Sequence, residues 1–557
     1  MTPHRPNRTR GSSEPQGLLN RDTRAEGSLR HSRVAEAVVG LLTAGVAVGA
    51  GQLTAALAAP RAAPVVAVGA AIVDLVPTPV KTFVVRTLGT YDKPALVAGI
   101  LTILAVLAVV AGTLALRRLA AGLVLVLGLG VVGGAAALAG PVPGLFAAVP
   151  SLVASLAAGA SMVVLVRTWR AGTAATRSAG DADGTGSPAA PIVEEDSAPT
   201  SAVGRRPFLT AGVATGTIAA VSGIGGRALV SRRSGAVASR TAMTLPTPAD
   251  PAPKLPQGYR LRVPGAPPFF TPNNTFYRID TALVVPHVDP QEWTLRIHGM
   301  VDREIELTFD DLLSRPLLER DITIACVSNQ LGGSLAGTAR WLGVSLADLL
   351  REAGVRRGAT QVVSRAVGGM NIGTPTESVM DGRNSLLTVA MNGRPLPFEH
   401  GFPARMVVPG LYGYVSATKW VVDLELTTFA AYDAYWVRRG WAERAPITTM
   451  SRIDTPSSLA EVPAGRVNVA GVAWAQHRGI DAVEVRVDGG PWREARLSTE
   501  VNIDTWRQWV WSWDATPGRH RLQVRATDGR GVTQQRERTP PFPDGATGWH
   551  SVVVNVE

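Results

Sequence analysis

The sequence predicts a multi-domain chain: an N-terminal α-helical membrane domain, then an α+β module, then a C-terminal all-β sandwich. Three observations carry this. Apolar runs of the roughly 20 residues needed to cross a bilayer dominate the chain before residue 230. Mixed helical and alternating patterns follow from 270, and only strand patterns remain after about 430. The 557 residues exceed one domain, and a charged fraction of only 18% suits a chain partly in lipid. The net charge of +11 does not read as a nucleic-acid footprint, because the basic residues are scattered or flank apolar runs.

Taking the elements in order, residues 1–33 are polar and Arg-rich and read as a disordered basic tail. Spans are expected near 34–58, 95–116, 119–139 and 144–167, forming a four-span domain over 34–170. Arg117 and Arg118 separate the second and third, Arg167 and Arg170 close the fourth, and Pro141, Pro143 and Gly144 make a turn. Asp74, Pro77, Pro79, Lys81 and Arg86 interrupt 64–90, which reads as re-entrant or interfacial. The positive-inside rule places the basic tail, the Arg117/Arg118 turn and the linker 171–203 in the cytoplasm. A fifth span over 204–226 opens with Gly204-Arg205-Arg206-Pro207-Phe208-Leu209-Thr210, paired arginines before a weakly apolar run that look like a twin-arginine export signal. Everything after about residue 230 then lies on the extracytoplasmic side of a bacterial cell membrane.

Gly128-Leu129-Gly130-Val131-Val132-Gly133 matches a dinucleotide fingerprint, but it lies within an apolar span with no preceding strand. Its small residues suit close helix packing instead. None of the eight histidines falls within 34–226, which excludes bis-histidine haem there.

A linker over 227–268 precedes the second module, 269–428. Trp293–Ile297 alternates as a strand does, and Ser345–Ala353 reads as a short helix starting at Ser345. In 429–557, Val467–Val472, Ala482–Val487, Trp509–Trp513, His520–Ala526 and Ser551–Val554 are candidate strands parted by Gly, Pro and Asp turns, the spacing of a β-sandwich.

Cys326 is the single cysteine, so neither an intrachain disulfide nor a cysteine-held iron–sulfur cluster can form from this sequence. It ends the alternating run Asp321–Ala325 and opens a loop containing Gly332 and Gly333. A thiol there can reach a pocket, and its thiolate suits a soft or high-valent metal. The alternative is an inert small core residue.

Four ordered blocks resemble the sulfite oxidase family: Thr271–Arg278 (TPNNTFYR), Ile324–Asn329 (IACVSN), Met391–Pro397 (MNGRPLP) leading into His400–Gly410 (HGFPARMVVPG), and Gly413 with Lys419-Trp420. The C-terminal module is similar to the family's immunoglobulin-like dimerisation domain through Gly471–Trp474, Val483–Trp492, Trp513 and Val524–Gly529.

The resemblance implies one molybdenum–molybdopterin cofactor per chain, with Cys326 as its protein ligand; with no haem motif and a single cysteine, no haem or iron–sulfur cluster is expected in this chain. It implies pterin contacts from Asn273, Phe276, Tyr277, Arg278, His400 and Arg405. Lys419 and Ser416 would contact the phosphate, and Asn329 would shape the metal pocket. Oxygen-atom transfer on a small-molecule substrate, a separate electron carrier (a cytochrome or quinone-linked protein) and a homodimer through the C-terminal domain are implied too.

Sulfite oxidases carry anion-binding arginines where this chain has Gln330-Leu331-Gly332-Gly333, and a tyrosine absent from Val367–Pro375; the neutral Gln330 and apolar Met370 suit a less charged substrate. Arg340 and Arg365 are the remaining candidates for an anion. Alternative readings are a sulfoxide-type reductase fed by membrane electrons, and a non-catalytic membrane-anchored scaffold.

Overall fold

The computed structural model describes residues 16–58, 62–77, 80, 84, 92–140, 144–182, 206–233 and 235–557. The chain forms two compact units, one of helices up to Arg233 and one from Ser234 to Glu557 that also takes in 77–90.

The first unit contains α1 (Gln16–Ala58), α2 (Pro64–Leu75), α3 (Asp92–Arg117), α4 (Leu119–Leu138), α5 (Val149–Ala182) and α6 (Arg206–Arg233). Five helical stretches among the described residues are long and apolar enough to cross a membrane: Arg33–Leu57, Lys93–Arg117, Leu119–Leu138, Leu145–Ala175 and Arg206–Gly226. At about 1.5 Å per residue α2 is too short to do so. Gly40 and Gly112 let α1 and α3 touch backbone to backbone, since a Cβ at either would collide with a carbonyl of the other helix. Gly130 makes room for the Ser155 side chain of α5 and Gly133 for that of Ser151, whereas Gly128 of the same motif meets nothing within 4 Å.

Three sequence expectations need adjustment here. The region 16–33, expected to be disordered, continues α1 as helix; its Leu, Arg, Ala and Glu residues are good helix formers. The linker expected at 171–203 starts later, because α5 runs on to Ala182 through a stretch without proline. Residues 1–15, 183–205 (including Arg205) and most of 78–91 lie outside the described residues.

Of the expected linker 227–268, residues 227–233 end α6, and 235–268 form a docked strap in the second unit. After α7 (Ala236–Ala242), Arg240 donates to the carbonyls of Leu396 (2.7 Å) and Pro395 (3.0 Å). Met243, Leu245, Leu255 and Tyr259 pack on the core. The apolar side chains find a core face while the prolines keep the backbone extended.

Two sheets build the α+β module. One is β2 (Ile305–Thr308), β1 (Thr294–Gly299), β10 (Val421–Thr427), β5 (Gln361–Ala366) and β6 (Asn371–Pro375), in that order, with β1 and β10 parallel. The other is β3 (Leu318–Ala325), β4 (Ala336–Ser345), β7 (Leu386–Met391) and β8 (Arg394–Pro395), with β9 (Arg405–Val407) also on β7. Helix α8 (Phe309–Ser314) opens on a capping box in which Thr308 and Asp311 bond reciprocally. Helix α9 (Leu346–Ala353) starts with Ser345 as its N-cap, as the sequence predicts. The core runs on past 428, because Trp441, Ala445 and Ile447 belong to it.

The C-terminal part is β-rich. A four-stranded sheet holds β11 (Met450–Thr455), β13 (Gly465–Trp474), β17 (Arg507–Ala515) and β16 (Arg496–Leu497). A five-stranded sheet holds β12 (Glu461–Val462), β19 (His550–Val556), β18 (Gly518–Asp528), β14 (Ile480–Val487) and β15 (Arg493–Glu494). The sheets share one core containing Trp509, Trp513, Leu522 and Val554, the sandwich that the alternation predicts. Its loop 502–506 closes the free edge of β3. Thr323 N–H donates to the Asp504 carbonyl (2.9 Å), Gln476 to the Thr323 carbonyl (3.1 Å) and Asn502 to the Asp321 carbonyl (3.0 Å). The strand that presents Cys326 is thus held from both sides.

Candidate active site at Cys326

β3 is buried from Asp321 to Ala325, and Cys326 follows directly. The loop after it is closed on itself. Cys326 N–H donates to Leu335 (2.9 Å), Asn329 N–H donates to the Cys326 carbonyl (3.0 Å), and Asn329 Oδ1 accepts from Leu335 N–H (2.8 Å). Asn329 Nδ2 is buried with no partner. Burial pushes the Cys326 thiol up; Ser328 and Lys419 pull it down.

A second wall comes from 271–278. Phe276 meets Trp341 edge-on (6.0 Å) and His400 edge-on (5.6 Å), and stacks on Tyr277 (5.4 Å). A Cβ at Gly337 would come within 2.8 Å of the Phe276 ring, so β4 needs its glycine there. Asn273 is fixed by Asn392, which donates to its Oδ1 (2.7 Å), and itself donates to the Met391 carbonyl (3.1 Å). His400 Nε2–H donates to the Asn273 carbonyl (3.1 Å). Burial, then Arg405, holds that imidazole down at about 4, so it is neutral at pH 7.

Arg405 lies at the start of β9, buried, over the Trp341 ring at 5.1 Å. Its Nη1 donates to the His400 carbonyl (3.1 Å), its Nε has no partner, and it makes no ion pair with a carboxylate among the described residues. Burial pushes it down to about 10. The Tyr277 hydroxyl and the carbonyl of Ala325, next to Cys326, both lie within 4 Å of where a Gly413 side chain would be; burial, then Cys326, push the phenol far up, while Arg405 opposes them. Gly401, at φ +111°, lets Arg405 and Lys419 come together, since a Cβ there would sit 3.0 Å from Arg405 Cβ and 3.1 Å from Lys419 Cα.

The structure therefore brings Asn273, Phe276, Tyr277, His400, Arg405 and Cys326 into one neighbourhood. Lys419 and Arg278 share Asp280, with Lys419 Nζ 2.7 Å and Arg278 Nε 3.3 Å from its Oδ2. The Ser416 hydroxyl donates back to the carbonyls of Leu411 and Tyr412, just ahead of its own helical turn, Gly413–Ser416.

The two arginines kept in reserve for an anion are already neutralised. Arg340 holds Asp321 with two bonds of 2.8 Å, and Arg365 pairs with Asp423 and Glu425. Met370 sits on the β5–β6 turn against the main core.

Sequence reasoning missed three neighbours. Tyr412, whose phenol donor or acceptor partner is Thr448 (2.8 Å), is raised by burial and, secondarily, by Cys326. Arg452 donates from Nη1 to the Gly333 carbonyl (2.6 Å), and the His550 ring stands where a Gly332 side chain would be. Arg452 and His550 come from the sandwich, far from Cys326 in sequence, so no local pattern could reveal them.

The family model described as oxidoreductase molybdopterin binding domain matches residues 282–436. An uncharacterized oxidoreductase, YuiH, of Bacillus subtilis (strain 168) is 34% identical over 178 residues, 32% of this chain and 86% of the relative. The chain belongs to the molybdopterin-binding oxidoreductases of the sulfite oxidase type. This oxidoreductase is also similar to mitochondrial sulfite oxidases of Mus musculus (30% identity; 48% of this chain, 54% of the relative) and Homo sapiens (29%; 52% and 62%). It thus spans little more than half the length of those relatives. A solved structure, the sulfane dehydrogenase SoxCD from Paracoccus pantotrophus, matches at 25% identity over 52% of this chain and 84% of that one, with a TM-score of 0.45.

The residues present fit the molybdenum cofactor that this family implies. Arg405 is a buried cation without a carboxylate, and two buried nitrogens, Arg405 Nε and Asn329 Nδ2, have no partner. Such groups are costly unless an outside acceptor meets them. A pterin dithiolene with its phosphate brings both acceptors and negative charge.

Proposed function

We propose that this chain is a membrane-anchored, extracytoplasmic molybdenum-cofactor oxidoreductase, with Cys326 as the protein ligand to the metal and a substrate other than sulfite. The observation that carries the reading is the buried Arg405, without a carboxylate among the described residues and with an unpartnered Nε, in the same neighbourhood as Tyr277 and the strand end that presents the only thiol. When bound, the cofactor supplies oxygen-atom transfer coupled to one-electron steps. The protein's own residues bind and orient. Asn273, His400 and Arg405 would hold the pterin, Phe276 and Tyr277 would wall it, and Lys419, Arg278 and Ser416 would serve the phosphate end. Tyr277, kept protonated by burial, would offer its hydroxyl beside the Cys326 sulfur, and Asn329 Nδ2 would donate into the same space. The loop 502–506 and Asn329 keep the cysteine in place.

The loop after Cys326 supports a weakly charged substrate. It contains no arginine. Arg452, which reaches it, is already bound to Asp454 (2.7 Å), and burial holds His550 at about 4, hence neutral. The same arginine-free loop suits a sulfoxide reductase. The five apolar helices and the Arg205-Arg206 pair support membrane attachment and export, and the C-terminal sheets support an immunoglobulin-like dimerisation domain.

The test is elemental and pterin analysis of the purified chain, with steady-state assays on sulfite and on dimethyl sulfoxide. We expect one molybdenum per chain, lost or inactive in Cys326→Ser, and poor turnover of sulfite. A metal-free chain, or a sulfite turnover unaffected by Cys326→Ser, contradicts the reading. Export is tested by Arg205→Lys with Arg206→Lys, which should leave the folded enzyme in the cytoplasm.

A further inference from the structure

The outer face of the five-stranded sheet carries a charge pattern that the catalytic reading does not use. Arg486, Arg519, Arg521, Arg536 and Arg538 line one open groove, with Asp488 as its sole acid. Asp488 is itself committed to His520 (2.7 Å) and to the backbone of Arg521 (2.7 Å). None of the five arginines forms an ion pair with a carboxylate among the described residues.

Two of its cations, Arg486 and Arg536, lie over aromatic rings. Trp492 lies between Arg525 (4.4 Å) and Arg486 (4.6 Å), and Trp549 between Arg486 (4.8 Å) and Arg536 (5.9 Å). Stacking fixes guanidinium groups in place while leaving their edges free to bond outward. Arg486 is held below its usual value by burial and by the neighbouring Arg536 and Arg525, so an incoming negative charge is favoured there.

The groove lies on the face of β19 that carries Trp549 and Val553, and His550, between them in the strand, points to the opposite face. Arg538 donates to the Trp549 carbonyl (3.2 Å) and to Ser551 Oγ (2.6 Å), bracketing His550. The His550 ring lies against Gly332 in the loop that follows Cys326.

We propose that this groove is the docking surface for an acidic one-electron carrier protein that serves the centre at Cys326. The proposal rests on the separate carrier named in the functional reading and adds where it binds and what charge it bears. A second copy of this chain is disfavoured, because it would set five arginines against five. The chain is an oxidoreductase, and the patch is one sheet away from the loop of its candidate centre, through His550 and Gly332, which favours a redox protein over a lipid headgroup. Each docking event passes one electron between carrier and centre, one being oxidised as the other is reduced, so two events complete a two-electron turnover.

The test uses the full chain in neutral-lipid nanodiscs and an acidic c-type cytochrome as probe, with a basic c-type cytochrome for comparison. Binding is read by surface plasmon resonance, and phenylglyoxal labelling of Arg519, Arg521 and Arg536 by mass spectrometry. We expect binding of the acidic cytochrome only, weakened by salt, and protection of these arginines in the complex. Arg519→Glu with Arg521→Glu should weaken binding about ten-fold or more, and Arg466→Glu, on the other sheet, should not.

Equal binding by wild type and double variant overturns the proposal. So does protection that comes from phosphatidylglycerol discs, or from raising the protein concentration, rather than from the cytochrome. Binding does not require molybdenum, so a metal-free chain that still binds would sink the functional reading and leave the docking surface standing.

Discussion

Two buried or half-buried arginine sites in the same module are built on opposite principles. In the sheet, Arg365 lies between Asp423 and Glu425 and is neutralised by the chain itself. Beside Cys326, Arg405 is more deeply buried yet has only a carbonyl, a ring face and an unpartnered Nε. A charge buried without compensation costs several kcal/mol, so a fold keeps one only where something from outside completes it. The first site serves the fold; the second serves an anionic ligand.

The largest effect that would break this comparison is on cofactor content. Arg405→Met should lower bound molybdenum at least about ten-fold while the metal-free chain stays as stable as wild type or becomes more so, since an unpaired buried charge has gone. Elemental analysis and urea unfolding measure the two halves; a strongly destabilised metal-free variant would make Arg405 structural.

The next effect is pH dependence. The His400 imidazole titrates near 6.5 when unfolded and about 4 when folded, so the unfolded chain binds more protons between these values. Stability of the metal-free protein should therefore rise with pH across that window and fall on acidification, and His400→Gln should remove up to about 3 kcal/mol of that dependence. Tryptophan fluorescence follows it well, because every tryptophan except Trp169 lies in the second unit.

Smaller still, Arg365→Met should cost about 1–2 kcal/mol, because the partners are partly solvated, and should leave molybdenum content unchanged. Thr308→Ala, which opens the capping box of α8, should cost about 1 kcal/mol and also spare the cofactor.

Much of the architecture could be read from local patterns. The apolar runs locate the helices, Ser345 marks the start of α9, and alternating or apolar runs between Gly, Pro and Asp turns mark β13, β14 and β17–β19. Chain continuity was harder to read. The strap at 236–268 has no periodicity, and only the core it covers explains Met243 and Leu255. Within the site, the motif residues Asn273, His400 and Arg405 do converge. The rest depends on tertiary placement: Lys419 and Arg278 on a common Asp280, Arg340 silenced by Asp321, and Arg452 and His550 delivered to the Cys326 loop by a different module.

The most direct measurement is X-ray absorption at the molybdenum edge of the purified chain, compared with Cys326→Ser. A metal whose shell loses one sulfur in the variant, with the pterin still present, is the predicted result. A molybdenum shell indifferent to Cys326, or no molybdenum in a correctly folded chain, would contradict the account.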